Sequence, residues 1–294
     1  MGSRPRSVEK QRRSRHAVST DYPIFLPFGK GRLAAVVTVP DCPPRGLVMF
    51  LQGLGTPRSH RYQLWTRASW GLAERGLASV RMDYPEMGDS TGTLPTELEA
   101  PPVAEAMAVA RLALDSVGVD RLGVVGNCLG ARVGFGVAAQ MAECTSVACV
   151  VPDTLKALLK GGGRTRSRLT VAQAARRVPR VARLARRLVH WDSTSRRLRY
   201  VPEVVSTLRT ADVLFLVVGV ESLEHRFRSA LRPLLRTSPP ERQAEIRHVS
   251  SGHARGMRLP LDVQPLVIDA IVRWMDETLP SATAEPSEAR RASA

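Results

Sequence analysis

Val124-Val125-Gly126-Asn127-Cys128-Leu129-Gly130-Ala131, VVGNCLGA, is an apolar run that closes on a Gly-x-Cys-x-Gly bracket. A strand that turns sharply into a helix needs small residues on both sides of the turn, and the turn presents its central side chain above the sheet edge. A helix N-terminus at the same point favours a thiolate over a thiol. The bracket alone is weak evidence, because an unpaired cysteine is most often a small buried hydrophobe. What lies on either side has to decide between the two readings.

Upstream, GRLAAVVTVP (31–40) alternates and then runs apolar, and RGLVMFLQGLG (45–55) reads as a buried strand ending in glycines. The pattern then predicts a helix over 62–75, a strand over 77–85, a helix over 97–117 and the strand RLGVVG, with a helix opening at Leu129. Downstream, SVACVVPDT (146–154) is a further strand. DVLFLVVG (212–219), a helix over 224–235, AEIRHVS (244–250) and a helix over 266–279 resume the alternation. Strands that alternate with helices imply a mostly parallel sheet with helices on both faces, since parallel neighbours need crossover connections.

At 294 residues and 44% hydrophobic content the chain can bury a sizeable core. Its longest apolar runs fall far short of the roughly 20 residues that span a bilayer, and the opening segment has no apolar signal region. A cytoplasmic protein is expected. Cys42, Cys128, Cys144 and Cys149 show no Cys-x-x-Cys spacing, so reduced thiols are expected and no metal site is. The formal charge of +16 is uneven: between Leu155 and Tyr200 there are 14 Lys or Arg against one acid, Asp192. Within that stretch Val171, Ala174, Val178, Val181, Ala185 and Leu188 keep helical spacing, which predicts basic amphipathic helices. The expected organisation is a basic tail (1–21), a first core part (22–154), an arginine-rich helical cap insert (155–205), a second core part (206–279) and a polar tail (280–294).

From Tyr22 to Leu279, outside the insert, the chain resembles the α/β-hydrolase fold superfamily. FLQGLG is similar to its oxyanion loop, RMDYPEMGDS to its next strand and turn, and SSGHA to the loop that carries its base. GNCLGA is most similar to the Cys-centred elbows of dienelactone hydrolases and polyhydroxyalkanoate synthases, from which Asn127 and Ala131 depart. The resemblance implies an α/β-hydrolase fold with Cys128 as nucleophile, His253 as base, and backbone N–H groups of Leu54 and Leu129 as oxyanion donors. Gln52 stands where many relatives have histidine, and Gln52 and Gly53 are the implied substrate-side residues of that loop. The triad aspartate is missing after FLVVG; Glu221 and Glu224 are the available carboxylates, with Asp153 a third. His60 and His248 lack the setting of a base, and Asp89-Ser90 reads as a turn.

A cysteine acyl-enzyme is itself a thioester, so exchange with an acyl thioester is nearly balanced in energy. The expectation is an acyl-transfer enzyme, thioesterase or acyltransferase, needing no cofactor. Its substrate would be carried by coenzyme A or an acidic acyl carrier protein docking on the basic insert. Nucleic-acid binding is disfavoured because only Trp191 and Tyr200 lie near the arginines. A non-catalytic ligand-binding or scaffolding homologue is the alternative, supported by the missing aspartate.

Overall fold

Largely apolar runs require burial on both faces, and the central strands have it even where Ser79, Arg81 and Asn127 interrupt them. Leu47–Leu51 (β3), Ala78–Met82 (β4) and Leu122–Asn127 (β5) are buried throughout. A computed structural model describes residues 19–53, 55–93, 101–151, 202–219, 221–250, 259 and 261–279. Within them Ser19–Phe28 (β1), Gly31–Pro40 (β2), Cys144–Val151 (β6), Asp212–Gly219 (β7) and Ala244–Ser250 (β8) complete one sheet in the order β1-β2-β4-β3-β5-β6-β7-β8. Only the β1–β2 and β2–β4 pairings are antiparallel.

The helices are Leu64–Ala73 (α1), Val103–Val117 (α2), Leu129–Ala138 (α3), Pro202–Thr210 (α4), Glu221–Leu235 (α5) and Gln264–Thr278 (α6). Strand residues alternate between two cores. Leu47, Met49, Leu51 and Val124 pack under α2, α3, α4 and α5, while Val48, Phe50 and Val125 pack under α1 and α6. The mostly parallel sheet with helices on both faces is therefore present as expected.

Three local departures have plain causes. The expected helix over 97–117 begins at Val103, because Pro101-Pro102 cannot continue a helix back toward the N-terminus, and Pro102 sits at φ −72, ψ 63. Residues 94–100 lie outside the described residues. The helix expected from Tyr62 begins at Leu64, with Tyr62 and Gln63 in the left-handed region. β1 is a strand that no periodicity announced: its burial pattern is mostly exposed and it holds Pro23 and Pro27. It is tolerable because it lies at the sheet edge, and it is tied inward by Asp21, which pairs with the buried Arg81 guanidinium at 3.0 Å. Helix α4 runs across the expected 205/206 boundary and packs on α3 and β7. The remainder of the insert lies outside the described residues.

Candidate active site

The carboxyl end of β5, between β3 and β6 in mid-sheet, carries Cys128. Cys128 is the residue before α3 and has φ 52, ψ −118, a conformation rare for any residue with a Cβ. Such strain costs of order 1–3 kcal/mol and persists only where the surroundings hold it. The holders are glycines. A Cβ on Gly126 would overlap the Gly130 carbonyl, and a Cβ on Gly130 would overlap the Leu51 carbonyl, so the elbow folds back against itself and against β3. Cys128 is half-buried at the N-terminus of α3, where helix N–H groups lack intrahelical acceptors and the dipole favours negative charge. The Leu129 N–H is the first of these groups.

β3 brings the second wall. Leu51 pairs with Gly126, so the chain past β3 runs beside the elbow, and a Cβ on Gly53 would sit 3.2 Å from the Cys128 Cβ and 3.7 Å from its Sγ. The backbone approaches the thiol this closely only because Gly53 has no side chain. Gln52 is buried, and its Nε2 donates to the Met82 carbonyl at 2.6 Å, tethering the loop to β4. Leu54 lies outside the described residues.

Buried polar side chains that periodicity could not reveal join the elbow at Asn127 and brace the neighbouring loops. Asn127 Nδ2 donates to His60 Nε2 at 3.0 Å, which leaves the ring hydrogen on Nδ1. His60 is buried against Trp65, ring centroids 4.8 Å apart. Burial pushes its pKa down to about 4, partly opposed by the Arg61 backbone, so the ring is neutral around pH 7. Asp83 is fully buried and accepts from the Arg58 guanidinium, the Arg58 N–H at 2.8 Å and the Asp89 N–H at 3.1 Å. It thereby ties the segment leading to His60 to the turn after β4. Ser90 donates to the Asp83 carbonyl and accepts from Ala34 N–H, both at 2.8 Å, so Asp89-Ser90 is the turn it was expected to be. Tyr84 is also fully buried; burial and then the charge of the neighbouring Cys128 raise its pKa, keeping the phenol neutral.

The other cysteines differ in kind. Cys144 and Cys149 are buried in strand β6, where burial pushes the Cys144 thiol up to about 12 and the Cys149 thiol higher still, and Cys42 is exposed. Cys128 alone of the four occupies an elbow.

Of the remaining expected residues, His253 and Asp153 lie outside the described residues, as does the side chain of Glu221. Glu224 is on α5, with Oε2 3.1 Å from His248 Nδ1 and Oε1 accepting from Arg228 at 2.6 Å. The Arg228 hydrogen bond, with His248 contributing, holds its carboxyl below the usual range. His248 stands in β8 with Nε2 2.8 Å from the Gly219 carbonyl, and its other ring nitrogen faces Glu224. Among the described residues no group of three His, Cys, Asp or Glu side chains could hold a metal ion, and no helix is long and apolar enough to cross a membrane.

The sheet order, the antiparallel β2 and the nucleophile-type elbow after β5 together define the α/β-hydrolase fold. Solved structures agree. The chain is similar to an alpha-beta serine hydrolase homologue from Coxiella burnetii, with TM-score 0.55 and 13% identity, 86% of this chain covering 96% of that one. It is similar to an esterase from Pyrococcus furiosus, with TM-score 0.55 and 14% identity over 95% of this chain and 96% of the other. The thioesterase domain from the curacin biosynthetic pathway matches with TM-score 0.52 and 12% identity over 86% and 99%. No family model matches the chain, and no curated protein matches it by sequence.

Proposed function

We propose that the chain is a cysteine-nucleophile acyl-transfer enzyme of the α/β-hydrolase fold, thioesterase-like, acting on an acyl thioester or ester. The observation that carries this reading is Cys128 at φ 52, ψ −118, held between Gly126 and Gly130 at the start of α3 with Gly53 against its sulfur. A cysteine filling a core has no need of a strained backbone, whereas a nucleophile that must stand above the sheet edge does. The fold shared with esterases and a thioesterase domain supports the same chemistry.

In this mechanism His253 takes the thiol proton and the Cys128 thiolate attacks the acyl carbon. The carbonyl oxygen gains charge facing the N–H groups of Leu129 and Leu54. The tetrahedral intermediate collapses, the bond to the leaving thiol or alcohol breaks, and His253 returns the proton to that group. Water or another nucleophile then attacks the acyl-enzyme, giving its proton to His253 as Cys128 leaves. Glu221 or Glu224 orients the imidazole; Glu224 is the poorer choice, since both its oxygens are already engaged. Coenzyme A or an acidic carrier protein is the proposed acyl donor, with the arginine-rich insert as its docking segment.

Intact-protein mass spectrometry after incubation with acyl-coenzyme A thioesters of graded chain length tests the reading. The expected result is a single acyl adduct, absent in Cys128→Ala and longer-lived in His253→Ala. No adduct at any chain length would sink it in favour of a non-catalytic ligand-binding homologue.

A further inference from the structure

Among the described residues the last strand of the sheet has one partner only. β8 pairs with β7, so its outer edge offers backbone N–H and C=O groups in a row. Beside that edge, α5 and the start of β8 enclose a groove of about 670 Å³, with Leu235, Ala244 and Ile246 as its apolar part. Arg228, Arg232 and Arg236 line it at four-residue intervals, with His225 ahead of them.

The charges in the groove do not cancel. Arg228 is engaged by Glu224, and Glu245, the one acid lining the groove, is engaged by Arg247 at 2.6 Å. Arg232 and Arg236 are exposed and have no acidic partner among the described residues. Arg228 and Arg232 lie one turn apart on α5, about 6 Å along its axis, and Arg236 follows in the turn just past the end of the helix. Alternate side chains of an extended strand are spaced about 6.6 Å, and α5, a crossover helix between parallel strands, runs alongside β8. An added strand would therefore present alternate side chains toward the arginines that line the groove.

We infer that the α5–β8 groove binds an extended acidic segment of another protein, which adds as a strand to the β8 edge and sets acids at alternate positions against Arg232 and Arg236. Main-chain hydrogen bonds supply affinity and the arginine row supplies selectivity, as in other cases of strand addition. A nucleic-acid strand fits less well, since no aromatic side chain lines the groove for base stacking. Two copies of this chain, each carrying a formal +16, would bring like charges together.

The test uses the full-length protein and fluorescein-labelled peptides at low salt, read by anisotropy. One peptide alternates Glu and Thr. A second has the same composition with its acids grouped at one end, and a third alternates but is N-methylated along the edge that would pair. The alternating peptide is expected to bind, the grouped one to bind at least about fivefold more weakly, and the methylated one not to bind. The exposed double variant R232E/R236E is expected to weaken binding at least about tenfold with its melting temperature held, and Cys128→Ala to leave binding unchanged. Equal binding of all three peptides, no binding at millimolar peptide, or indifference to R232E/R236E would each overturn the inference. So would arginine-dependent binding of a single-stranded DNA oligonucleotide by a protein that ignores the peptides. None of these readouts depends on acyl transfer, so the groove and the thiol chemistry fail separately.

Discussion

His60 makes the stability of this fold depend on acid in a way that can be calculated. The imidazole is 3% exposed, accepts from Asn127 at 3.0 Å and lies against Trp65. Its pKa falls from 6.5 in the unfolded chain to about 4 in the folded one, chiefly through burial. The folded-state value is depressed, so the stability involved is fully present above pH 6.5 and is lost as pH falls toward 4, because the unfolded chain takes up the proton first. Each pH unit in that window costs up to about 1.4 kcal/mol, which gives a loss of about 2 kcal/mol between pH 7 and pH 5 from this one residue. The assay is urea unfolding at closely spaced pH values on the wild type and on His60→Gln, which cannot titrate. The Gln variant should be less stable at pH 7, through lost packing on Trp65, yet flatter in its dependence between pH 7 and 5 by about 2 kcal/mol. Parallel curves for the two proteins would refute a buried neutral His60 against the elbow.

The elbow strain predicts an order among thiol-less variants. Cys128→Gly relieves a positive φ that Cys128→Ala keeps, so the glycine variant should be the more stable by about 1 kcal/mol in chemical unfolding, although glycine ordinarily loses to alanine. Alanine coming out ahead would argue against the strained turn. Asp83→Asn removes the carboxylate that Arg58 and two backbone N–H groups share, and should cost about 3 kcal/mol in urea unfolding. Gly53→Ala would bring a methyl to 3.2 Å from the Cys128 Cβ; alkylation of Cys128 by iodoacetamide should slow severalfold while the melting temperature changes little.

The helix–strand alternation was legible because it rests on local periodicity. Runs such as Leu47–Leu51 and 213–218 are apolar at successive positions because helices cover both faces, and that pattern is written into consecutive residues. The elbow was legible for a related reason: Gly126 and Gly130 flank Cys128 at a spacing that only a sharp turn requires. β1 was not, since an edge strand with prolines and polar residues is held by Arg81 and its pairing with β2, neither of which is local. The start of α2 was misplaced by six residues because apolar spacing before Pro101 outweighed the proline signal.

The surroundings of the thiol lie at the far end of the same scale. Residues 127 and 60 are separated by a strand, two helices and a crossover, and nothing about SHRYQ marks its histidine as the partner of an asparagine in the elbow. Glu224 is similar: its place after FLVVG made it an available carboxylate, and only the fold showed His248 and Arg228 already on it. By itself the sequence determined the layer architecture and the turn that lifts Cys128, because both follow from spacing between neighbours along the chain. The tertiary structure alone decided which side chains surround that cysteine and which strands lie at the two edges of the sheet, because burial, pKa and pairing depend on distances between residues that the chain order keeps apart.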